Sequence, residues 1–294
     1  MRILITGATG FIGTYLINHL NKKNHIVIGL SRKTNYKQIK KISIRSKAKL
    51  NDFFHKNKFD IVIHLDSVIK ECKPLQTFEE NCIPTINLLE CCVENKIKKF
   101  IFASTHLVYG KTQYLPIDES HLQNPEKNYP LSKLIIENLC RMYSISYGLD
   151  VIILRISSVY GEGQLDNLVI TNLMSSCIQD KHLTIHKYKN GFQLMDLVHV
   201  SDVCNAFELA CNSKIKFGIF NVASGKAITA LDIAKKLSNI SGITKIKIKK
   251  INQHTNHFFY DISSIKTCLK FKPTIELNEK ILKPWYNQYL KNFN

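Results

Sequence analysis

Residues 1–16 read Met1-Arg-Ile-Leu-Ile-Thr-Gly-Ala-Thr-Gly-Phe-Ile-Gly-Thr-Tyr-Leu16, and this stretch decides the fold. Residues 2–5 form an apolar, β-branched run, as a strand buried on both faces requires. Gly7, Gly10 and Gly13 follow at regular spacing, and Ile12, Leu16, Ile17 and Leu20 then recur at helical spacing. A strand, a glycine turn and a helix N-terminus in that order make an anion cradle. Glycine lets the backbone approach a pyrophosphate, and the free N–H groups and dipole of the helix favour its charge. Such a glycine run carries little weight alone; set between a strand and a helix it carries much more.

The 294 residues suffice for one large domain or two smaller ones. An apolar fraction of 45% is ordinary for a soluble globular chain. No apolar run reaches the ~20 residues of a membrane span. The chain opens directly on a strand with no signal peptide before it, so a cytoplasmic protein is expected. The nine cysteines are odd in number and include no CxxC pair, and Cys91 and Cys92 are adjacent. Buried free thiols are expected, with no disulfide framework and no metal site. The formal charge of +18 raises nucleic acid, anionic lipid or an anionic substrate as partners. Nearly all of it is lysine, scattered apart from clusters at 33–49 and 245–250; the arginines are Arg2, Arg32, Arg45, Arg141 and Arg155. Phosphate and base readers favour arginine forks, so nucleic acid is not expected as a partner.

Further strands are expected at 26–30, 60–65, 99–104 and 150–155, with amphipathic helices near 81–96 and 131–147. Alternating β and α with apolar strands means an α/β fold with a doubly wound parallel sheet, and ligands at the carboxyl ends of the strands. After about residue 163 the pattern changes. Residues 167–178, 202–211 and 230–240 read as helices, 183–198 as strand-rich, 219–222 and 245–251 as strands, before a C-terminal helix. The division expected is a dinucleotide-binding domain at 1–163 and a smaller α/β substrate-binding cap at 164–294, with some segments returning to the first domain.

Tyr129-Pro-Leu-Ser-Lys133 sets a phenol and an ammonium one helical turn apart, on one face. A nearby ammonium favours the phenolate, and such a pair can pass a proton to or from a sugar or alcohol oxygen. YxxxK alone is common by chance. Phe102-Ala-Ser-Thr-His-Leu-Val-Tyr-Gly110 places Ser104 or Thr105 where a strand runs out, so that a hydroxyl can bond the same oxygen or simply cap the loop.

Together these segments resemble the extended short-chain dehydrogenase/reductases, the NAD(P)-dependent nucleotide-sugar epimerases, dehydratases and reductases. The resemblance spans the chain. It includes His64-Leu65, Asn81 before Asn87-Leu-Leu-Glu90, Arg155 before Val159-Tyr-Gly161, Asp196 before Val200-Ser-Asp202, Phe220-Asn-Val-Ala-Ser-Gly225 and Leu269-Lys-Phe-Lys-Pro273. It implies a Rossmann-type fold and a catalytic triad of Thr105, Tyr129 and Lys133. It implies cofactor contacts from Gly7, Thr9, Gly10, Phe11, Ile12, Gly13, Leu65, Asp66, Ser67, Asn81, Ser104, Tyr129 and Lys133. Substrate contacts fall to His106, Tyr129, Ser158 and Asn167. Family members pair two helices from each subunit, and the helices at 81–96 and 131–147 carry apolar residues to spare: Ile83, Ile86, Leu89, Leu134, Ile135, Leu139 and Met142. A homodimer with a four-helix interface is therefore expected.

Four departures from the family pattern stand out. Its dehydratases place Asp-Glu after the catalytic Thr, where His106-Leu107 stand here, so a 4,6-dehydratase is not expected. Met195 replaces the arginine that often grips the substrate diphosphate, and no arginine follows Arg155. Ile156 and Ser158 replace a common Pro and Asn. Asp66-Ser67 replace two small residues; Asp66 is either a ribose or backbone contact or a strand-end turn former. Beyond strand 2 stand Ser31-Arg32-Lys33, with no acid for a ribose 2′-OH. A hydroxyl, a guanidinium and an ammonium suit a 2′-phosphate, so NADP(H) is favoured over NAD(H). On that footing the first expectation is an NADPH-dependent reductase of a nucleotide-linked 4-keto sugar. The alternative is a UDP-hexose 4-epimerase with tightly bound NAD, and the remote one a non-catalytic, RNA-binding member of the family.

Overall fold

A computed structural model describes residues 1–32, 34–164, 168–179 and 182–291. The opening run forms β1 (Arg2–Thr6) and α1 (Phe11–Lys22). The chain continues through β2 (Ile26–Ser31), β3 (Ile39–Lys41), α2 (Lys47–Lys56), β4 (Ile61–His64) and a short α3 (Pro74–Thr77). A π-helical turn (Phe78–Cys82) leads into α4 (Ile83–Glu94), then β5 (Lys99–Thr105), α5 (Asn128–Tyr147), β6 (Asp150–Ile156) and β7 (Ser158–Tyr160). There follow α6 (Val169–Gln179), β8 (Leu183–Lys187), β9 (Leu194–His199), α7 (Val200–Asn212) and β10 (Phe217–Val222). The last elements are β11 (Ala227–Thr229), α8 (Ala230–Ser241), β12 (Ile246–Lys250), α9 (Ser263–Leu269) and α10 (Glu279–Lys291).

Among the described residues the main sheet has seven strands in the order β10-β6-β5-β4-β1-β2-β3, and every pairing is parallel. The winding reverses between β1 and β4, which opens a crevice at their carboxyl ends. The pleat divides the core. Ile3 and Ile5 of β1 face the layer containing Leu16, Ile17 and Leu20 of α1 and Val203 and Phe207 of α7. Leu4 faces the opposite layer, with Leu50 and Phe54 of α2, Leu88 and Leu89 of α4 and Ile136 of α5. Each such side chain contributes about 1.5–3 kcal/mol on burial. A third apolar cluster lies among α6, α8 and α10, where Leu173, Ile233, Leu282 and Trp285 meet.

Several boundaries differ from those read in the sequence. β3 and α2 lie in the lysine-rich segment, whose polar surface hides a short edge strand; Lys40 and Lys41 are a charged edge of the kind that resists further pairing. The helix expected at 81–96 is preceded by the π-helical turn, which sets Asn81 where it can bond Val68. α5 starts at Asn128, which places Tyr129 in its first turn. β10 and α7 return from beyond residue 163: β10 adds to the sheet beside β6, and α7 packs on α1. Most cysteines are buried, and burial pushes the Cys91 thiol up to about 12.

Gly13 fixes how closely α1 approaches the strand ends. A Cβ there would fall 2.3 Å from the Gly7 carbonyl oxygen, with Ala8 backbone atoms at 3.0 Å. No flexible side chain is available to yield. Gly13→Ala should cost about 1–3 kcal/mol of stability by overpacking. Chemical denaturation measures it; a change below about 0.5 kcal/mol would mean that the helix start moves freely.

Candidate active site

The nucleotide end of the crevice is built by backbone. Gly7 takes φ +68°, and a Cβ on it would meet the Asp66 amide nitrogen at 2.8 Å, so the β1 and β4 ends touch. Gly10 begins α1 with no side-chain cap and no acid in the first turn, which leaves that helix start suited to an anion. Thr9 and Gly10 lie at the surface of the turn, Ile12 packs on the core, and Phe11 sets its ring edge-on to Tyr15 at 5.7 Å. Ser67 Oγ is buried with no hydrogen-bond partner among the described residues. It lines a pocket with Ile44, Val68, Arg32 and Arg45. An uncapped helix start, a bare glycine turn and an orphaned hydroxyl in a pocket of mainly polar lining fit a dinucleotide.

The tip of β2 gathers acidic as well as basic side chains. The strand ends at Ser31, as a turn back over the glycine loop requires, and Arg32 does reach the pocket. Two carboxylates reach it as well. Arg32 lies 3.9 Å from Asp66 and 3.8 Å from Glu80, and Glu80 also pairs with Arg45. The acid that the local sequence lacks is brought in by distant segments. Lys33, the third expected contact, and Asn167, an expected substrate contact, lie outside the described residues.

A buried relay ties this end to the catalytic end. The Thr85 hydroxyl donates to the Asn81 carbonyl at 2.6 Å, so Thr85 Oγ accepts from His64 Nε2 at 2.8 Å. His64 Nδ1 then accepts from the Thr6 hydroxyl at 2.6 Å, and Thr6 Oγ accepts from the Asp66 N–H at 3.2 Å. Burial lowers the His64 pKa to about 3, so the ring stays neutral. Asn81 in turn bonds both backbone groups of Val68 and the Ser132 hydroxyl.

At the catalytic end, Thr105 closes β5, and its hydroxyl accepts from the Leu107 N–H at 3.3 Å; the cap and the free O–H coexist. Lys133 Nζ is buried, donates to the Ala103 carbonyl at 2.9 Å, and lies 4.7 Å from the Phe102 ring centre and 5.8 Å from that of Tyr129. Burial lowers its pKa to about 8, opposed by the charge of Asp66. The Tyr129 phenol runs against expectation: burial pushes it up to about 12. The ammonium sits under the ring and is itself desolvated, so in the protein alone burial outweighs the charge.

Ser104, an expected cofactor contact, donates its hydroxyl to Glu137. Glu137 also takes two guanidinium nitrogens of Arg155, the nearer at 2.7 Å, and both residues are only 3% exposed. Arg155 further bonds the Glu119 carbonyl and covers the Tyr109 ring. Glu137 stands one helical turn past Lys133 on the buried face of α5. That spacing was readable in the sequence; its partnership with Arg155 was not.

His106 follows Thr105 with its ring stacked on Phe258 and its Nδ1 2.6 Å from the Tyr260 hydroxyl. Burial holds the His106 pKa near about 4 and that of Tyr260 well above the usual range. The ring is therefore neutral, with Tyr260 donating to Nδ1 and Nε2 carrying the proton. Ser158 opens β7, half-buried and opposite Leu197. Met195 and Leu197 are buried in β9, and the Asp196 carboxylate is spent on Ser224, Gly225 and Tyr260. Among the described residues no cluster of His, Cys, Asp or Glu is arranged for a metal ion, and no helix is long and apolar enough to cross a membrane.

A family model described as the NAD dependent epimerase/dehydratase family matches residues 3–223. A putative UDP-glucose 4-epimerase of Methanocaldococcus jannaschii is 33% identical over 95% of this chain and 95% of its own length. A dTDP-D-glucose 4,6-dehydratase of Dictyostelium discoideum is 31% identical over 82% of this chain, which spans 62% of that relative. Among solved structures, a UDP-glucuronic acid 4-epimerase of Bacillus cereus in complex with NAD superposes with a TM-score of 0.86 at 27% identity, covering 100% of this chain and 97% of that one.

Tyr129→Phe keeps the ring and loses the O–H. General acid catalysis is worth roughly 10²–10⁴-fold, so kcat should fall by about that much while nucleotide binding barely changes. Turnover near that of the wild type would remove Tyr129 from the chemistry.

Proposed function

The chain belongs to the NAD dependent epimerase/dehydratase family, and we propose that within it this protein is a nucleotide-sugar 4-epimerase acting on a UDP-hexose. One observation carries the choice: Arg32 is already paired with Asp66 and Glu80 rather than held open for a 2′-phosphate. That weakens the case for a reductase consuming NADPH, and it suits a retained NAD. The proximity of His106-Leu107 to Thr105 supplies no pair of acids for water elimination, which argues against a dehydratase. The intact Thr105, Tyr129 and Lys133 argue against a non-catalytic role.

When bound, a nicotinamide cofactor supplies the hydride acceptor and donor. The chain does the rest. Thr105 donates to the sugar O4 and holds it beside Tyr129. The Tyr129 phenolate takes the O4 proton on oxidation, and the phenol returns it on reduction. Lys133 remains an ammonium at neutral pH, because even its lowered pKa of about 8 lies above it, and that charge stabilises the phenolate. His106 and Ser158 line the sugar side.

The assembly we propose is a homodimer through α4 and α5. The apolar surplus is narrower than the sequence implied. Leu89 is in the core, and Leu134, Ile135 and Leu139 are half-covered by the sheet layers. Ile83 of α4 and Leu131, Met142 and Ile145 of α5 stay exposed, the last at 77%. Those of α5 recur on one side of that helix, as an isologous helix pair requires, and Ile83 adds to them from α4.

Incubating the purified protein with UDP-glucose and no added cofactor, followed by proton NMR, tests the reaction. UDP-galactose should appear; a requirement for added NADPH, or a 4-keto-6-deoxy product, would overturn the epimerase reading. Light scattering tests the assembly. Twice the chain mass of 33.8 kDa is expected at micromolar concentration, and a stable monomer would defeat the dimer.

A further inference from the structure

Three segments that are distant in the chain meet at the outer end of the nucleotide pocket. Arg32 follows β2, Arg45 precedes α2, and Glu80 belongs to the π-helical turn before α4. Glu80 contacts both guanidinium groups, at 3.8 Å for Arg32 and more closely for Arg45. The carboxylate is the more sheltered and the better anchored partner. Its side chain is 21% exposed against 44% for each arginine. Its neighbour Asn81 is 3% exposed and locked to Val68 and Ser132. The arginines therefore come to a fixed anion. Two guanidinium groups gathered on one carboxylate resemble the arrangement that would receive a phosphomonoester, with Glu80 in the place of the phosphate.

We propose that Glu80 sets the nucleotide preference of this protein: it occupies the forks of Arg32 and Arg45, and so disfavours a ribose 2′-phosphate while accepting a ribose 2′-hydroxyl. This preference presupposes that the pocket holds a nicotinamide nucleotide. A 2′-phosphate brought to Arg32 meets Glu80 at one side and Asp66 at the other, and like charges at such range repel. A 2′-hydroxyl instead gains a carboxylate acceptor. The preference that other proteins encode with an acid at the end of the second strand is encoded here by a residue far along the chain.

Removing only the charge isolates the effect. Glu80→Gln keeps the size and polarity of the side chain and removes its charge from both guanidinium groups, leaving Asp66 beside Arg32. Fluorescence titration with NADH and NADPH, on protein first stripped of any retained nucleotide, reads binding without turnover, and a thermal melt of each variant checks folding. The wild type should bind NADH at least as tightly as NADPH. In Glu80→Gln the affinity for NADPH relative to NADH should rise by about tenfold or more, the scale of a charge-assisted contact. Adding Arg45→Ala to Glu80→Gln should reverse most of that gain. A ratio that moves by less than about threefold in a folded Glu80→Gln protein would overturn the proposal and leave the epimerase reading standing. A wild type that binds neither nucleotide would overturn the reading of the pocket, and the proposal with it.

Discussion

Glu137 and Arg155 meet where α5 crosses the carboxyl ends of β5 and β6, each 3% exposed and joined through two guanidinium nitrogens. Such a pair carries a desolvation cost that only good geometry offsets, and loss of one partner typically costs about 3–5 kcal/mol. Here the remaining valences are met: Ser104 donates to Glu137, and Arg155 reaches the Glu119 carbonyl and the face of Tyr109. The Tyr109 hydroxyl donates to Asn221 of β10, whose N–H returns to Glu119. This closed network fixes α5 in register against the sheet. Lys133 and Tyr129 lie on the same helix, and Thr105 follows Ser104 directly, so the pair sets the spacing of the three groups proposed to be catalytic.

The same burial that makes the network firm governs the acid–base chemistry. A phenol pushed up to about 12 holds its proton, and an ammonium brought down to about 8 still carries its charge at neutral pH. In the proposed cycle that phenol donates its proton to the nascent alkoxide. Taking a proton away draws on the Lys133 ammonium together with whatever charge fills the neighbouring pocket.

The sheet was legible because its strands are buried on both faces, and runs such as Ile61–His64 and Lys99–Phe102 are too apolar for anything else. The glycine cradle was legible because strand, turn and helix are contiguous. The Tyr129–Lys133 pair was legible because helical spacing is local. What escaped was whatever depends on contacts between segments. Nothing near Arg32 in the chain announces Asp66 or Glu80, so the tip of β2 read as an open basic site. The phenol was expected to be lowered by its lysine, because sequence gives the spacing of charges and not their desolvation. β3 and α2 were missed inside a lysine-rich stretch whose apolar residues, Ile44, Leu50 and Phe54, are few but fully buried.

In the proposed reaction one chain oxidises and then reduces the same sugar carbon without an external reductant. Its most direct test is turnover of UDP-glucose deuterated at C4 by the purified protein with no cofactor added, read by mass spectrometry of the product. The account predicts a C4 epimer that keeps its deuterium. Product formed only after NADPH is supplied, or a C4 epimer whose deuterium has exchanged with solvent, would contradict it.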